Sequence, residues 1–524
     1  MKRFDLLSLL ALTLVCACNG NRFGEDGNPE ESDVPVEHGM IVLGDKLEDP
    51  YTVENMSAAL ASLYPTKADR VVLDPTDLYV RFLPSSDAQM ERLMSMNLQL
   101  VDHPVDFQIV KEGDWYHDPE IEEGSITWQY AVVPADFVFP EGIDYEVLDE
   151  CFIADSGTAA KSGDIDWEAV ERESFRLTGN LGMLSDPVKS DPVPPCGRIT
   201  VSDPESSSEP IGVKGVMVSC NTFVKFSRAY TDEEGYYQMS KTFSGKPRYR
   251  LVFKNQKGFC IGFNLLLVPA SVSTLGKGTE AGLSLHVDGS SDRKLFARSV
   301  VNNACWDYCE SCVSGERSIS MPPADLRIWL FGSLDCSSAP MLHHGAFVEE
   351  GVIKDFLGEY VSLLELFLPD VTLGIKNSAS SYSSLYLSTI HELAHASHFM
   401  KAGRGFWNRY ISYVLNSFVS SGFEVYGSGS EADHGYCEVG EMWAYYIQSS
   451  MCRSNYPSRD CNFGTGYWFS PQILLYLEDR GLNKFKIFEA LRDDVTDRDL
   501  LQERLLMLWP ESKNAINQAF GRYN

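Results

Sequence analysis

The stretch Ser388-Thr389-Ile390-His391-Glu392-Leu393-Ala394-His395-Ala396-Ser397-His398-Phe399 decides how the C-terminal half of the chain is read. Leu385, Ile390, Leu393 and Ala394 recur at helical spacing, and Gly403 stands where a helix would end, so the pattern predicts a helix over 384–400. On that helix His391 and His395 lie one turn apart on the same side, and two imidazoles so placed can grip one ion. Glu392 falls about 100° round the helix from His391. Its carboxylate then sits beside the ion without taking a coordination position, in reach of a proton on a metal-activated water. The competing reading is an amphipathic helix with two ordinary buried histidines.

A third protein ligand has several candidates. His398 is nearest in sequence but lies about 10 Å further along a straight helix from His391, too far to join the pair. Downstream, "GSEADHGYCEVGEMWAYYIQ" offers Asp433, His434, Glu438 and Glu441. Val439, Met442, Trp443, Tyr446 and Ile447 form one apolar stripe there at helical spacing, while Glu438, Glu441 and Tyr445 share another face. Whichever of Glu438 and Glu441 does not meet the ion could orient a ligand histidine from behind.

His391-Glu392-Leu393-Ala394-His395 followed by Gly440-Glu441-Met442-Trp443-Ala444 resembles the gluzincin metallopeptidases. In that family a glutamate, with a small residue three positions on, completes a His-His-Glu set. The resemblance implies Zn²⁺ held by His391, His395 and Glu441, with Glu392 as general base and proton carrier in peptide-bond hydrolysis. It also implies a tyrosine or histidine at the developing oxyanion, for which Tyr445 and Tyr467 are the candidates. The metzincin pattern would need glycine at His398 and histidine at Lys401, and is excluded. Asp433 followed by Tyr436 bears a weaker likeness to the aspzincins.

The N-terminus points to export. Lys2 and Arg3 precede an apolar run from Leu6 to Val15, too short to span a bilayer and ordered like a secretory signal. The run ends in Val15-Cys16-Ala17-Cys18, which resembles a bacterial lipobox and implies cleavage before Cys18 with acylation of its thiol. Cys16 fits less well, since Val15 would then occupy the cleavage position; a plain secretory signal is the alternative. Residues 18–37 are acidic and rich in Gly and Pro, a tether. Such a stretch resembles those of lipoproteins sent to the cell surface; the expected location is the outer membrane, anchored by lipid, with the periplasmic and the cell-surface orientation both open.

The 524 residues carry a formal net charge of −30, which repels phosphate backbones and argues against nucleic-acid binding. At 44% hydrophobic and 23% charged residues, the chain is globular and long enough for several cores. The expected fold is α+β and multidomain: signal peptide 1–17, tether 18–37, a small α+β domain 38–150, a linker 151–192, a β-sandwich 193–268, and a mainly helical domain with a small sheet 285–524. In the sandwich, Gly197-Arg198-Ile199-Thr200-Val201, then Gly212-Val213 and Gly215-Val216-Met217-Val218, then Thr231-Asp232-Glu233-Glu234-Gly235-Tyr236-Tyr237, are similar to the carboxypeptidase regulatory-like, transthyretin-like domains. Those are accessories without chemistry of their own.

Thirteen cysteines in an exported chain predict some bridges, with Cys452–Cys461 and Cys220–Cys260 the plausible pairs. Cys305, Cys309 and Cys312 have helical spacing and no completing Cys or His pair, and read as packing. His103 and His117 stand apart from any constellation. Together these features lead to a lipid-anchored zinc endopeptidase acting on extracellular or periplasmic protein or peptide. A surface binding or assembly lipoprotein with a degenerate zincin domain is the alternative; an intact Glu392 weighs against it. Hydrolysis of another amide, such as a peptidoglycan peptide, would share the same chemistry.

Overall fold

The computed structural model describes residues 40–68, 71–113, 115–122, 125–154, 165–184, 193–262, 272–290, 292–315, 317–332, 334, 336–346, 369–378, 380–420 and 426–523. The signal segment, Cys18 and the tether lie outside the described residues. The architecture is α+β, with helices and several separate sheets. No described helix is long and apolar enough to cross a membrane.

The N-terminal part pairs β1 (Val42–Lys46) with β3 (Phe107–Lys111) and builds a second antiparallel sheet in the order β4 (Gln129–Pro134), β2 (Asp77–Leu83), β5 (Asp144–Cys151). Helix α1 (Val53–Leu63) starts at Thr52, whose hydroxyl accepts the Asn55 N–H at 3.2 Å, and buries Met56, Ala59 and Leu60 along one face. Helix α2 (Asp87–Ser95) follows β2.

The stretch 151–192, expected as a linker, instead carries α3 (Trp167–Leu177). Asp166 caps it, and Trp167, Val170 and Phe175 face inward, Trp167 and Val170 against the apolar side of α1. The helical period was present in "WEAVERESF", but its four charged residues obscured a narrow apolar stripe. From α3, Glu171 accepts hydrogen bonds from Tyr51 (2.8 Å) and Lys225 (2.6 Å), a buried network that joins the first part of the chain to the next.

That next part is two facing sheets. One has the order β10 (Tyr236–Gln238), β6 (Cys196–Val201), β14 (Leu285–Val287), with β7 (Ile211–Gly212) also on β6. The other has the order β13 (Val272–Lys277), β11 (Arg248–Val252), β8 (Met217–Thr222), β9 (Lys225–Tyr230). The turn before β10 needs Gly235: its φ is +84°, and a Cβ would come within 2.1 Å of the Ile199 carbonyl oxygen. The sandwich runs past residue 268, because β13 and β14 complete it.

Strand β12 (Cys260–Gly262) departs from the expected sandwich. It pairs in parallel with β15 (Arg327–Phe331), which pairs with β16 (Val371–Gly374). This corrects the Cys220–Cys260 bridge: the two residues belong to different sheets, and both are buried free thiols. The Cys452–Cys461 disulfide is formed.

Helix α4 (Arg293–Ser311) joins the sandwich to the C-terminal helices. The Asn303 side chain accepts the Lys214 N–H (2.8 Å) and donates to the Gly212 carbonyl (2.8 Å), and one continuous apolar core runs from Ile199 through α4 to Phe520. The sandwich is therefore welded to the helical unit rather than tethered to it. Cys305, Cys309 and Cys312 are buried thiols, and burial pushes Cys309 up to about 11 and Cys312 up to about 12. Helix α5 (Tyr382–Ser420) breaks into two arms at Gly403 (φ +80°). Against it lies α6 (His434–Asn455), followed by α7 (Gln472–Glu478), α8 (Lys484–Ala490), α9 (Arg498–Leu508) and α10 (Lys513–Arg522).

Candidate metal centre

The first arm of α5 carries His391 and His395, and α6 carries Glu441 on the face turned towards it. Trp443 fixes the pairing of the two helices, donating its indole N–H to the Ala394 carbonyl at 3.1 Å. Trp407, on the second arm of α5, donates to Ala339 O at 2.9 Å and packs at 5.7 Å from the His395 ring. The apolar stripe on α6 thus turns Glu441 inward rather than to solvent.

The three side chains converge. His391 Nε2 and His395 Nε2 are 3.2 Å apart, His391 Nε2 and Glu441 Oε2 3.4 Å, and His395 Nε2 and Glu441 Oε1 3.5 Å. Ligands bound 2.0–2.1 Å from one tetrahedral ion stand roughly 3.3–3.4 Å from each other. The two Nε2 atoms are spaced as two such ligands are, and each faces its own oxygen of the Glu441 carboxylate at a similar distance. All three side chains are buried, and the Glu441 side chain is 0% exposed.

Electrostatics favours a ligand role. Burial holds His395 below its ordinary range, so its ring is neutral and offers a lone pair. Burial works to raise the Glu441 carboxyl, but His395 and His391 beside it outweigh this and hold it at about 2. Burial and then the Glu441 charge push Glu392 well above the usual carboxylate range. The Oε2 atoms of Glu392 and Glu441 are both buried without a hydrogen-bond partner among the described residues. Acceptors packed this closely in a dry site repel one another, and a shared cation offsets that cost. The donor set, two imidazoles and one carboxylate with a carboxylate beside them, fits Zn²⁺.

The other candidates lie elsewhere. Glu438 Oε1 pairs with Arg498 Nε at 2.7 Å, and its Oε2 accepts the Arg498 backbone N–H at 3.0 Å, so it anchors the start of α9. Asp433 pairs with Arg409 at 3.3 Å, and His434 Nδ1 faces the Glu431 carbonyl at 2.8 Å. His398 is buried between Phe406 and Trp407 with neither ring nitrogen hydrogen-bonded; burial and then His395 lower it to about 3. His103 contacts Asp102 and His117 contacts Ser125 O, both apart from the centre. Tyr445 packs its ring at 4.4 Å from His391 and meets the Tyr426 hydroxyl at 3.2 Å, and Tyr467 lies behind it at 5.8 Å.

One residue at the centre escaped the sequence reasoning. Tyr410, on the second arm of α5, donates a hydrogen bond to Glu441 Oε1 at 2.6 Å. The only sequence signal is its place in the stripe Phe406, Trp407, Tyr410, Val414, which says that it is buried but not what it meets. Set against protein-family models, curated proteins and solved structures, the chain matches none of them.

Proposed function

We propose that the chain is a zinc-dependent endopeptidase, with His391, His395 and Glu441 as the metal ligands and Glu392 as the general base. The observation that carries this reading is the convergence of His391 Nε2 and His395 Nε2, 3.2 Å apart, on the two oxygens of Glu441 at 3.4 and 3.5 Å, with a buried carboxylate next in sequence to one of them. When bound, zinc supplies Lewis acidity and brings the pKa of a coordinated water to about 7. Glu392 takes a proton from the attacking water and delivers it to the leaving amine. A raised proton affinity suits the first half of that exchange, because it makes the carboxylate a stronger base towards the water. Glu441 contributes its charge and the rigidity that Tyr410 gives it. Tyr445, beside His391, is the better placed of the two oxyanion candidates.

The proposed setting is a lipid anchor at Cys18 on the outer membrane, which the charge order and Val15-Cys16-Ala17-Cys18 support. The substrate class is extracellular or periplasmic protein, and the two preceding parts of the chain act as accessories.

Zinc content and cleavage of denatured proteins, measured on the wild type and Glu392→Gln, test the reading. The variant should keep its metal and lose about 10²–10⁴-fold in rate. Zinc bound without any Glu392-dependent cleavage would leave a surface binding or assembly protein instead.

A further inference from the structure

A second group of ligating side chains lies at the start of the parallel strands. Asp325 precedes β15 by two residues, Asp370 immediately precedes β16, and His343 and His344 occupy a turn between Met341 (φ +54°) and Gly345 (φ +78°). His344 Nε2 is 3.1 Å from Asp325 Oδ1, and His343 Nε2 is 3.4 Å from Asp325 Oδ2. All three offer one atom each within 4.8 Å of the others.

Asp370 is what gives this group a direction. It is wholly buried, and its Oδ2 accepts the Arg327 N–H (3.0 Å) while its Oδ1 accepts the His344 N–H (3.1 Å). The same Oδ1 lies 3.0 Å from His344 Nδ1. A nitrogen facing a carboxylate that closely carries a proton, since two acceptors would repel. With Nδ1 turned to Asp370, Nε2 is the nitrogen turned towards Asp325 and His343, and it gives up its proton when an ion takes that place. A carboxylate behind a histidine whose other nitrogen points at further ligands is how metal-binding histidines are oriented.

Charge agrees. Glu91, from α2, lies 4.0 Å from His343 Nε2 and pairs with Arg327 at 3.4 Å. Once an ion has replaced the protons on the two Nε2 atoms, three carboxylates (Asp325, Asp370, Glu91) and one guanidinium (Arg327) leave two negative charges, the complement of one divalent cation. Two imidazoles in the set favour Zn²⁺ over Ca²⁺ or Mg²⁺, which prefer oxygen alone. The Asp325 side chain is 65% exposed and His344 22%, so solvent reaches the position.

We infer that His343, His344 and Asp325 form a second zinc site, oriented by Asp370 and distinct from the site at His391. Glu91 brings α2 of the N-terminal part to its edge, so the ion also ties that part to the parallel sheet. Binding displaces any proton on the two Nε2 atoms to solvent and involves no other change.

The test is zinc titration of the full chain after chelation and dialysis, with Asp325→Asn, His344→Ala and His395→Ala. The wild type should take up about two equivalents and each variant about one. Asp325→Asn changes an exposed carboxylate and guards against misfolding of His344→Ala, with circular dichroism as the check. One equivalent in the wild type, lost in His395→Ala and kept in Asp325→Asn, would overturn the inference. The pair would then be imidazolium held by Asp325 and Asp370. One equivalent lost in Asp325→Asn and kept in His395→Ala would support it while sinking the proposed peptidase centre.

Discussion

Tyr410 Oη lies 2.6 Å from Glu441 Oε1, a short hydrogen bond from the second arm of α5 to α6 at the candidate metal centre, buried on both sides. The phenol fixes which carboxylate oxygen faces His391 and which faces His395. Tyr410→Phe should therefore fold normally yet hold zinc about 10–100-fold more weakly, in line with the loss of a group that orients a metal ligand. Competition against a chromogenic chelator measures this directly. An unchanged affinity would reduce Tyr410 to packing.

Glu441 and Glu438 are one turn apart on α6 and have opposite surroundings. Glu441→Ala should abolish zinc retention, because it removes one corner of the ligand triangle. Glu438→Ala should keep the metal and lose stability instead. It strips the partner from Arg498, whose side chain is only 14% exposed, at a cost of about 3–5 kcal/mol. Metal analysis beside thermal melts separates the two. Zinc lost from Glu438→Ala alone would reverse the assignment.

What could be read in advance was local. The helix carrying His391 and His395 and its break at Gly403 follow from periodicity and glycine placement within a few turns, while periodicity put Glu438, Glu441 and Tyr445 on one face without choosing between the two carboxylates. What could not be read depends on how distant segments meet. Tyr410 reaches Glu441 only because Gly403 redirects the chain, and a positive φ gives no sequence rule for the new direction. Strand β12 falls within the expected sandwich over 193–268 because six strands of the two sheets, β6 to β11, come just before it. Its partner β15 begins more than sixty residues later, and parallel pairing needs such a crossover without marking it locally. The His343–His344 pair is equally opaque, since Asp325 and Asp370 come to it from two other segments.

The Cys452–Cys461 bridge joins positions nine apart, tying the last turn of α6 to the segment that follows it. Loop-closure entropy assigns such a bridge about 2–3 kcal/mol. Cys452→Ser with Cys461→Ser should lower the melting midpoint by a matching amount while leaving zinc content intact, because neither residue touches the candidate centre. Equal melting of the two proteins under oxidising conditions would show that the bridge adds no stability.

Asp49 makes a prediction about pH. It is 5% exposed; its Oδ1 accepts the Tyr51 N–H at 2.8 Å and its Oδ2 is buried without a partner. Burial, with Asp106 and Asp149 adding to it against the Tyr51 hydrogen bond, raises its carboxyl from 3.8 to about 8. Between those values the folded state holds a proton that the unfolded state has released, so stability falls as pH rises from about 4 to about 8 and levels off above. The total is on the order of several kcal/mol. Asp49→Asn keeps the oxygen that accepts from Tyr51 and cannot ionise. The two proteins should melt at similar temperatures near pH 4, and the variant should pull ahead steadily towards pH 8. Parallel melting curves across that range would mean that Asp49 stays ionised in the folded protein and that its burial is tolerated by another route.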